Sequence, residues 1–531
     1  VRRAASGYVL AALIFLPAAK AVTIRVPANQ PTIQAGIDAA QDGDLVLVAP
    51  GVYTGESNTN IDLLGKALSV ASESGSGTAV IECASMSRAF LIRSGEDTTT
   101  VVRGFTINNG YSTGEGGAVL CQAASPTLVD LVIDGGVAGA DGGGVHIADG
   151  SPRIRDARFS SCCAGLRGGG ISCSGEDAAP ALTNVVFIGC SADSGGGASF
   201  VSGAAPVLHG VTFQGNTATS EGGGLACCHT AESFPLFEDV TYIENEAIYG
   251  GGLSVRRANP QLSDVAFCGN AATTMGGGAY LHNASASLTA VVFDGNHTLY
   301  RGGGVYCYRC SPHLTDCGFT GNRSEDDGGG LYCYYYSKPV LSEVVFSGNS
   351  AGRHAGGVNL KTHATATLTN VIFHRNSAAE WAGGLLCLNW TSPTLTSVTF
   401  AENEAGLGGG GVYCKSESSP TLERVIIAFS TEGGGITAHE DSHPALSCCD
   451  VYGNVGGDYC GDLADQTGTA GNVSEDRMLC DMQTGNLIID SASPCAAENN
   501  TCGVLIVALD VGCGGTSVEV TTWGRIKAMY Q

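Results

Sequence analysis

Two stretches of this chain, "FDGNHTLYRGGGVYCY" at residues 293–308 and "FTGNRSEDDGGGLYCY" at residues 319–334, are copies of one pattern. Each has a Phe, an Asn three residues later, a variable stretch, three glycines and a short segment that ends in Cys-Tyr. The last small residue of each glycine cluster recurs along most of the chain, at Ala118, Gly144, Gly170, Gly197, Gly224, Gly252, Gly278, Gly304, Gly330, Gly357, Gly384, Gly411 and Gly435. Apart from the last, the intervals stay at about 26–28 residues, and a nearly fixed period of this length predicts a solenoid of stacked repeats.

Each repeat is typical of β-structure. The glycines precede an alternating segment (Val305 to Tyr308), a Ser-Pro turn and a second strand-like segment that returns to the Phe. No repeat contains a ten-residue helical pattern, which excludes helical repeat proteins. Three short strands in about 26–27 residues form one coil, so the sequence predicts an all-β, right-handed parallel β-helix solenoid.

In such a solenoid each residue lies about 4.8 Å from its counterpart in the next coil. Three residues after the last glycine, cysteines such as Cys307 and Cys333 alternate with aliphatic residues, so we expect this column to lie in the core. The asparagines from Asn216 to Asn403 are expected to hydrogen-bond along the axis. The recurrent aspartates, such as Asp130, are expected at tight corners.

The composition limits the partners. The 531 residues carry a net charge of −24 and include 78 glycines and 22 cysteines. A strongly acidic chain is a poor ligand for nucleic acid or anionic membranes, which select basic surfaces. No stretch is long enough for a transmembrane helix, and we expect a monomer.

The chain divides into four segments. Arg2 and Arg3, an apolar run and Ala19-Lys20-Ala21 predict a signal peptide at residues 1–21, hence an extracellular or cell-surface protein in which disulfides are permitted. Residues 22–55 are predicted to form an N-terminal helical cap and first strand, residues 56–439 the β-helix, and residues 440–531 the final coil and a disulfide-rich C-terminal cap. The last segment contains seven cysteines, Cys448, Cys449, Cys460, Cys480, Cys495, Cys502 and Cys513. We expect mainly local disulfides, with one cysteine left over or paired with the solenoid.

Two resemblances support this fold. The pairing of GGG[VLA] with FxxN across residues 118–415 resembles the GGA(I/L/V)/FxxN repeats of chlamydial polymorphic outer membrane proteins. The stretch "TIRVPANQPTIQAGIDAAQDGDLVLVAPGVYTG" at residues 23–55 is similar to the opening of bacterial pectin-lyase-like β-helix proteins. That resemblance implies a short capping helix near Pro31 to Ala40. The fold hosts lyases, hydrolases, adhesins and structural proteins, so it implies no single activity.

The sequence contains no catalytic signature and no metal motif. The Arg525-Ile526-Lys527 stretch lacks the companion motifs of polygalacturonase-like enzymes. Asp326 and Asp327 are expected in a solvated turn rather than in a catalytic pair. The aspartate column permits bound Ca²⁺ between coils, but no specific calcium motif supports it. We therefore predict no cofactor, no catalytic residue and no metal site.

The variable positions predict a binding surface. Two residues past the last glycine, Tyr280, Tyr306 and Tyr332 occupy one column that we expect to face outward as a continuous aromatic strip. His282, Tyr308 and Tyr334 are expected to widen it, with Arg301 and Arg309 nearby. Such a strip suits a polysaccharide or cell-surface glycan, although aromatic packing that stiffens the solenoid is the alternative. The sequence favours a non-enzymatic adhesion or polysaccharide-binding module; the alternative is a polysaccharide lyase or glycoside hydrolase.

Overall fold

The protein is a right-handed parallel β-solenoid of about 17 turns. The computed structural model describes residues 20–229, 233–481, 486–507, 509 and 511–513. The predicted signal peptide, apart from its last two residues, and the Arg525-Ile526-Lys527 stretch lie outside these ranges. Three parallel sheets run along the axis, so each typical coil adds a rung to every sheet.

The first sheet contains the strands that follow the glycines. Its 16 strands are Ile61–Asp62, Phe90–Ile92, Val119–Gln122, Val145–Ala148, Ile171–Ser174, Ala198–Val201, Leu225–Cys228, Leu253–Arg256, Ala279–His282, Val305–Tyr308, Leu331–Tyr334, Val358–Lys361, Leu385–Leu388, Val412–Lys415, Ile436–Ala438 and Tyr459–Gly461.

The second sheet contains the strands that lead to the FxxN motif. Its 27 strands are Thr23–Val26, Leu45–Val48, Gly51–Thr54, Ser69–Ser72, Ala79–Glu82, Val101–Asn108, Thr127–Asp134, Arg153–Ser160, Ala181–Ile188, Val207–Gln214, Leu236–Ile243, Gln261–Ser263, Ala266–Cys268, Ser287–Thr289, Val292–Asp294, His313–Thr315, Gly318–Thr320, Val340–Ser342, Val345–Ser347, Thr367–Thr369, Ile372–His374, Thr394–Thr396, Thr399–Ala401, Thr421–Glu423, Ile426–Ala428, Ala445–Ser447 and Asp450–Tyr452.

The third sheet contains short strands between the FxxN motif and the glycines. Its 12 strands are Tyr111–Ser112, Val137–Ala138, Cys163–Ala164, Ser191–Ser194, Thr217–Glu221, Glu246–Tyr249, Ala271–Met275, His297–Thr298, Arg323–Ser324, Ser350–Ala351, Ser377–Ala378 and Glu404–Ala405. The α-helix Ile33–Ala39 packs on the first strands, at the position expected for the capping helix.

The core consists of stacked columns. Nine consecutive ring pairs from Phe159 to Phe400 stack with centroids 4.5–5.1 Å apart. The cysteines of the predicted core column, such as Cys307 and Cys333, are buried, which confirms that prediction.

The asparagine ladder is also confirmed. Each Asn from Asn216 to Asn376 donates a side-chain hydrogen bond from Nδ2 to Oδ1 of its counterpart in the next coil, at 2.9–3.0 Å. The aspartates of the corner column adopt left-handed backbone conformations, for example Asp264 with φ 55° and Asp316 with φ 52°, as a tight corner requires.

The C-terminal tail covers more than the end of the solenoid. Its first part closes the last coil: the Cys448 N–H donates to Ala470 O at 3.0 Å, and the Val473 N–H donates to Cys449 O at 2.9 Å. The second part, from residue 479, folds back along the outer face of the second sheet. There Leu487 is buried against Ile372.

Two disulfides tie the tail down, Cys448–Cys502 and Cys480–Cys513. The expectation of a single leftover cysteine is wrong, because Cys449, Cys460 and Cys495 are all free. Cys449 and Cys495 are buried, and their thiols donate to Leu422 O and to Asp450 Oδ2, each at 3.4 Å.

Candidate functional site

The three tyrosines of the predicted strip stack on one another, but they are buried rather than exposed. Tyr280, Tyr306 and Tyr332 stack with centroids 5.5 and 5.4 Å apart. Their exposed fractions are only 5%, 3% and 1%, so the prediction that these three form an exposed strip is wrong. Burial raises the pKa of the Tyr280 phenol to about 12.

The turn before each glycine cluster covers these rings. Tyr249 and Met275 pack against the stack, and the Arg301 guanidinium lies 5.6 Å from the centre of the Tyr332 ring. The glycines turn the chain so sharply that residues before and after them meet on one side of the sheet. Bulky residues three positions before the last glycine are therefore the sequence signal that the strip is covered.

Stacking also removes the ring faces that a sugar would use. The rings of Tyr280 and Tyr306 are within 6° of parallel, and those of Tyr306 and Tyr332 within 10°. Both faces of Tyr306 are thus occupied by protein. A column of rings stacked along the axis can present only its edges and its two end faces to a ligand.

The other predicted site residues are more accessible. His282, Arg301, Tyr308 and Tyr334 are half-buried and Arg309 is exposed. The Arg309 guanidinium lies 4.7 Å from the centre of the Tyr335 ring, and Tyr308 stacks on the same ring at 5.8 Å. This accessible part of the predicted site leads to the corner between the first and second sheets.

Asp327 does not lie in a solvated turn, contrary to expectation. It is fully buried, and its Oδ1 lies 2.8 Å from Nδ1 of the buried His354. The other imidazole nitrogen lies 3.1 Å from a Glu380 carboxylate oxygen in the next coil. Burial acts to raise the pKa of Asp327, but His354 and neighbouring cations outweigh it, so the pKa lies below its ordinary value. These contacts link the side chains of three successive coils, from the buried Asp327 and His354 to the partly exposed Glu380.

The exposed aromatic feature lies at the corner instead. Tyr336, His363 and Trp390 occupy one column on three consecutive coils, and we call them the corner ladder. Their rings stack at 4.8 and 5.1 Å and are within 13° of parallel. Tyr336 is 54% exposed and Trp390 51% exposed.

One additional residue per coil creates the corner ladder. Tyr308 pairs with Tyr334, which lies 26 residues later, whereas His313 pairs with Val340, which lies 27 residues later. The extra residue therefore lies in the turn between the two sheets. Because the preceding coil lacks a counterpart, no ring of the described residues stacks on the second face of Tyr336. Tyr335 contacts it edge-on, at 85°.

The backbone of the corner ladder is strained. Tyr336, His363 and Trp390 have φ values of 59°, 59° and 60°. Bulky residues are rarely found in this left-handed region, which favours Gly and Asn, and each costs about 1–2 kcal/mol there. Sequence reasoning missed the ladder because it aligned columns from the glycines only. The available signal was that the interval from Gly330 to Gly357 is longer than the interval from Gly304 to Gly330.

Comparisons with known proteins agree on the fold. Residues 252–422 match the family described as right handed beta helix region, and residues 210–228 match the Chlamydia polymorphic membrane protein repeat. No curated protein sequence matches the chain.

Among solved structures, a PL6 alginate lyase in complex with a trisaccharide is 11% identical, with a TM-score of 0.33 over 84% of this chain and 87% of that one. A mannuronic acid specific polysaccharide family 6 lyase from human gut microbiota is 10% identical, with a TM-score of 0.32 over 96% and 100% of the chains. A GH87 α-1,3-glucanase from Streptomyces thermodiastaticus is 13% identical, with a TM-score of 0.24 over 85% and 71%. At these identities and TM-scores the likeness supports no conclusion about this chain.

Among the described residues, no helix has the length and apolar character needed to cross a membrane.

Proposed function

We propose that this protein is an extracellular or cell-surface module that binds polysaccharide at the corner ladder without cleaving it. One observation carries the proposal: three aromatic rings on successive coils stack into one ladder at the corner, and its two outer rings are about half exposed. Exposed aromatic surface of this kind is typical of binding sites.

The geometry suits a sugar at the first rung. The half-exposed ring of Tyr336 gives a pyranose ring an apolar surface. Tyr335 is in T-shaped contact with Tyr336, and the exposed Arg309 lies over the Tyr335 ring. The ring edges of His363 and Trp390 add nitrogen atoms that can hydrogen-bond to sugar hydroxyls. A polysaccharide running along the axis would contact these rungs in succession, together with Tyr308 and Tyr334.

The proposal predicts that the variant Tyr336→Asn/Trp390→Asn loses retention on the polysaccharide that retains the parent protein. Removing two ring contacts of about 0.5–1.5 kcal/mol each weakens binding roughly 5- to 140-fold. Asparagine tolerates the left-handed conformation, so the thermal midpoint should change little. Affinity chromatography on immobilised alginate, pectin or dextran measures the retention at 500 mM NaCl, because that salt concentration screens contacts made by exposed charges elsewhere on the protein.

Tyr300→Asn is the matched control, because Tyr300 is 55% exposed and belongs to another turn. It should be retained like the parent. Undiminished retention of the double variant would refute the corner ladder as the site. Release of unsaturated or reducing ends from any of the three polymers would refute the non-enzymatic role.

A further inference from the structure

A second exposed cluster, of opposite chemistry, lies on the outer face of the second sheet near the N-terminal end. Arg153, Arg155 and Arg158 project outward from the strand Arg153–Ser160, and all three are exposed. Arg103 belongs to the same column as Arg155, because both pair with Val129, one from each side. We call these four residues the arginine patch.

The patch gathers four arginines whose charges are not paired, although the chain has 50 acidic and only 26 basic residues. Arg257 and Arg309 are also exposed without a carboxylate within 4.0 Å among the described residues, but they lie outside the patch. Ten other arginines of the described residues lie within 4.0 Å of a carboxylate. Within the same described ranges, none of the four patch arginines does.

The nearest corner carboxylates already have partners of their own. Asp130 accepts a hydrogen bond from the Ser76 hydroxyl at 2.8 Å, and Asp156 accepts one from Asn184 Nδ2 at 3.0 Å. The strands Val101–Asn108, Thr127–Asp134 and Arg153–Ser160 together carry these four guanidinium groups and three carboxylates, Asp130, Asp134 and Asp156, so their net charge is +1 on an otherwise acidic molecule.

We infer that the arginine patch binds the acidic groups of a linear polysaccharide. Guanidinium groups recognise carboxylate and sulfate in bidentate fashion. Arg153 and Arg155 are about 6.6 Å apart along the strand, and Arg103 and Arg155 about 9.6 Å apart across two coils, so they match charges repeated along a polymer. A single polysaccharide chain contacts the patch alone. A membrane or a nucleic acid duplex is wide enough to meet the surrounding acidic surface as well, which repels it.

The test compares dextran sulfate with dextran, which share a backbone and differ in their sulfate groups. The protein should bind dextran sulfate and not dextran at the patch, and raising NaCl from 50 mM to 500 mM should weaken binding because salt screens exposed charges. The variant Arg153→Thr/Arg155→Thr/Arg158→Thr should bind dextran sulfate at least 10-fold more weakly at 50 mM NaCl. Thr127 and Thr183 occupy the same face on the adjacent coils, so the fold should tolerate these changes.

The control variant Arg25→Thr/Arg323→Thr/Arg375→Thr removes the same charge from exposed arginines that lie beside carboxylates. It should reduce affinity less than threefold. Equal losses in the two variants would show a general charge effect and overturn the inference, as would stronger binding to vesicles of anionic lipid than to dextran sulfate.

This inference shares the class of ligand with the proposed function but none of its residues. The variant Tyr336→Asn/Trp390→Asn should keep its sulfate-dependent binding. The two ideas therefore fail independently of each other.

Discussion

Replacing Asn322 by alanine is expected to destabilise the solenoid by about 3–5 kcal/mol, because each unsatisfied buried polar group costs about 1–3 kcal/mol. The Asn322 Nδ2 donates to Phe293 O at 2.8 Å and to Asn349 Oδ1 at 2.9 Å, and its Oδ1 accepts two bonds from Asn296. Alanine would leave the backbone N–H of Asn296 and one N–H of its Nδ2 without their acceptor in a fully buried position, and Phe293 O would lose this donor. Asn349 Oδ1 would keep the hydrogen bond from the backbone N–H of residue 322 at 3.0 Å.

Urea denaturation followed by circular dichroism measures the change, with Asn283→Gly as the control. Asn283 is an exposed corner residue with φ 51°, where glycine fits the backbone. The control should change the free energy of unfolding by less than about 1 kcal/mol. Similar midpoints for the two variants would contradict the structural role assigned to the ladder.

Gly303→Ala should lower the free energy of unfolding at least as much as the Asn322 substitution, by about 4 kcal/mol or more. A Cβ at this position would lie 2.5 Å from Gly329 O and 2.6 Å from Arg323 O, both backbone atoms of the next coil. Since backbone cannot rotate away as a side chain can, the coils must separate locally and lose ladder hydrogen bonds.

Gly295→Ala is the matched comparison for this steric prediction. Gly295 has φ 61°, but a Cβ there meets nothing within 4 Å. This substitution should lower the free energy of unfolding only through the strain of an alanine in the left-handed conformation, by about 1–2 kcal/mol. If Gly295→Ala proves as destabilising as Gly303→Ala, close approach between coils does not explain the glycine clusters.

The fold could be predicted because its interactions repeat. A buried asparagine hydrogen-bonds to its counterpart in the next coil, so asparagine recurs at a nearly fixed interval in the sequence. The stacked phenylalanines and the glycines recur for the same reason. The helix Ile33–Ala39 followed from a family resemblance. The path of the tail could not be predicted, because Leu487 contacts Ile372 through a pairing that occurs once and leaves no period.

The candidate site was harder to predict for the same reason. The column that holds Tyr306 was identified correctly, but its exposure depends on Met275 and Arg301, which the turn brings back over the rings. The corner ladder depends on one inserted residue and a positive φ at Tyr336. An alignment that starts from the glycines does not show such an insertion, because the residues on both sides of it still align with the corresponding residues of the adjacent coils.

The side-docked tail restricts where the rod can change length. Leu487 belongs to one buried apolar cluster with Ile372 and Ala401, and Ile489 and Ile506 belong to another with Ile426 and Ala428, so the tail spans several particular coils. If a coil were gained or lost within that span, the coil residues of one cluster would move by about 4.8 Å relative to those of the other, and the tail could not contact both. A coil gained or lost upstream, for example residues 279–304, leaves every tail contact unchanged. Gene duplication can therefore lengthen this protein from the N-terminal side, while the C-terminal coils keep a fixed number.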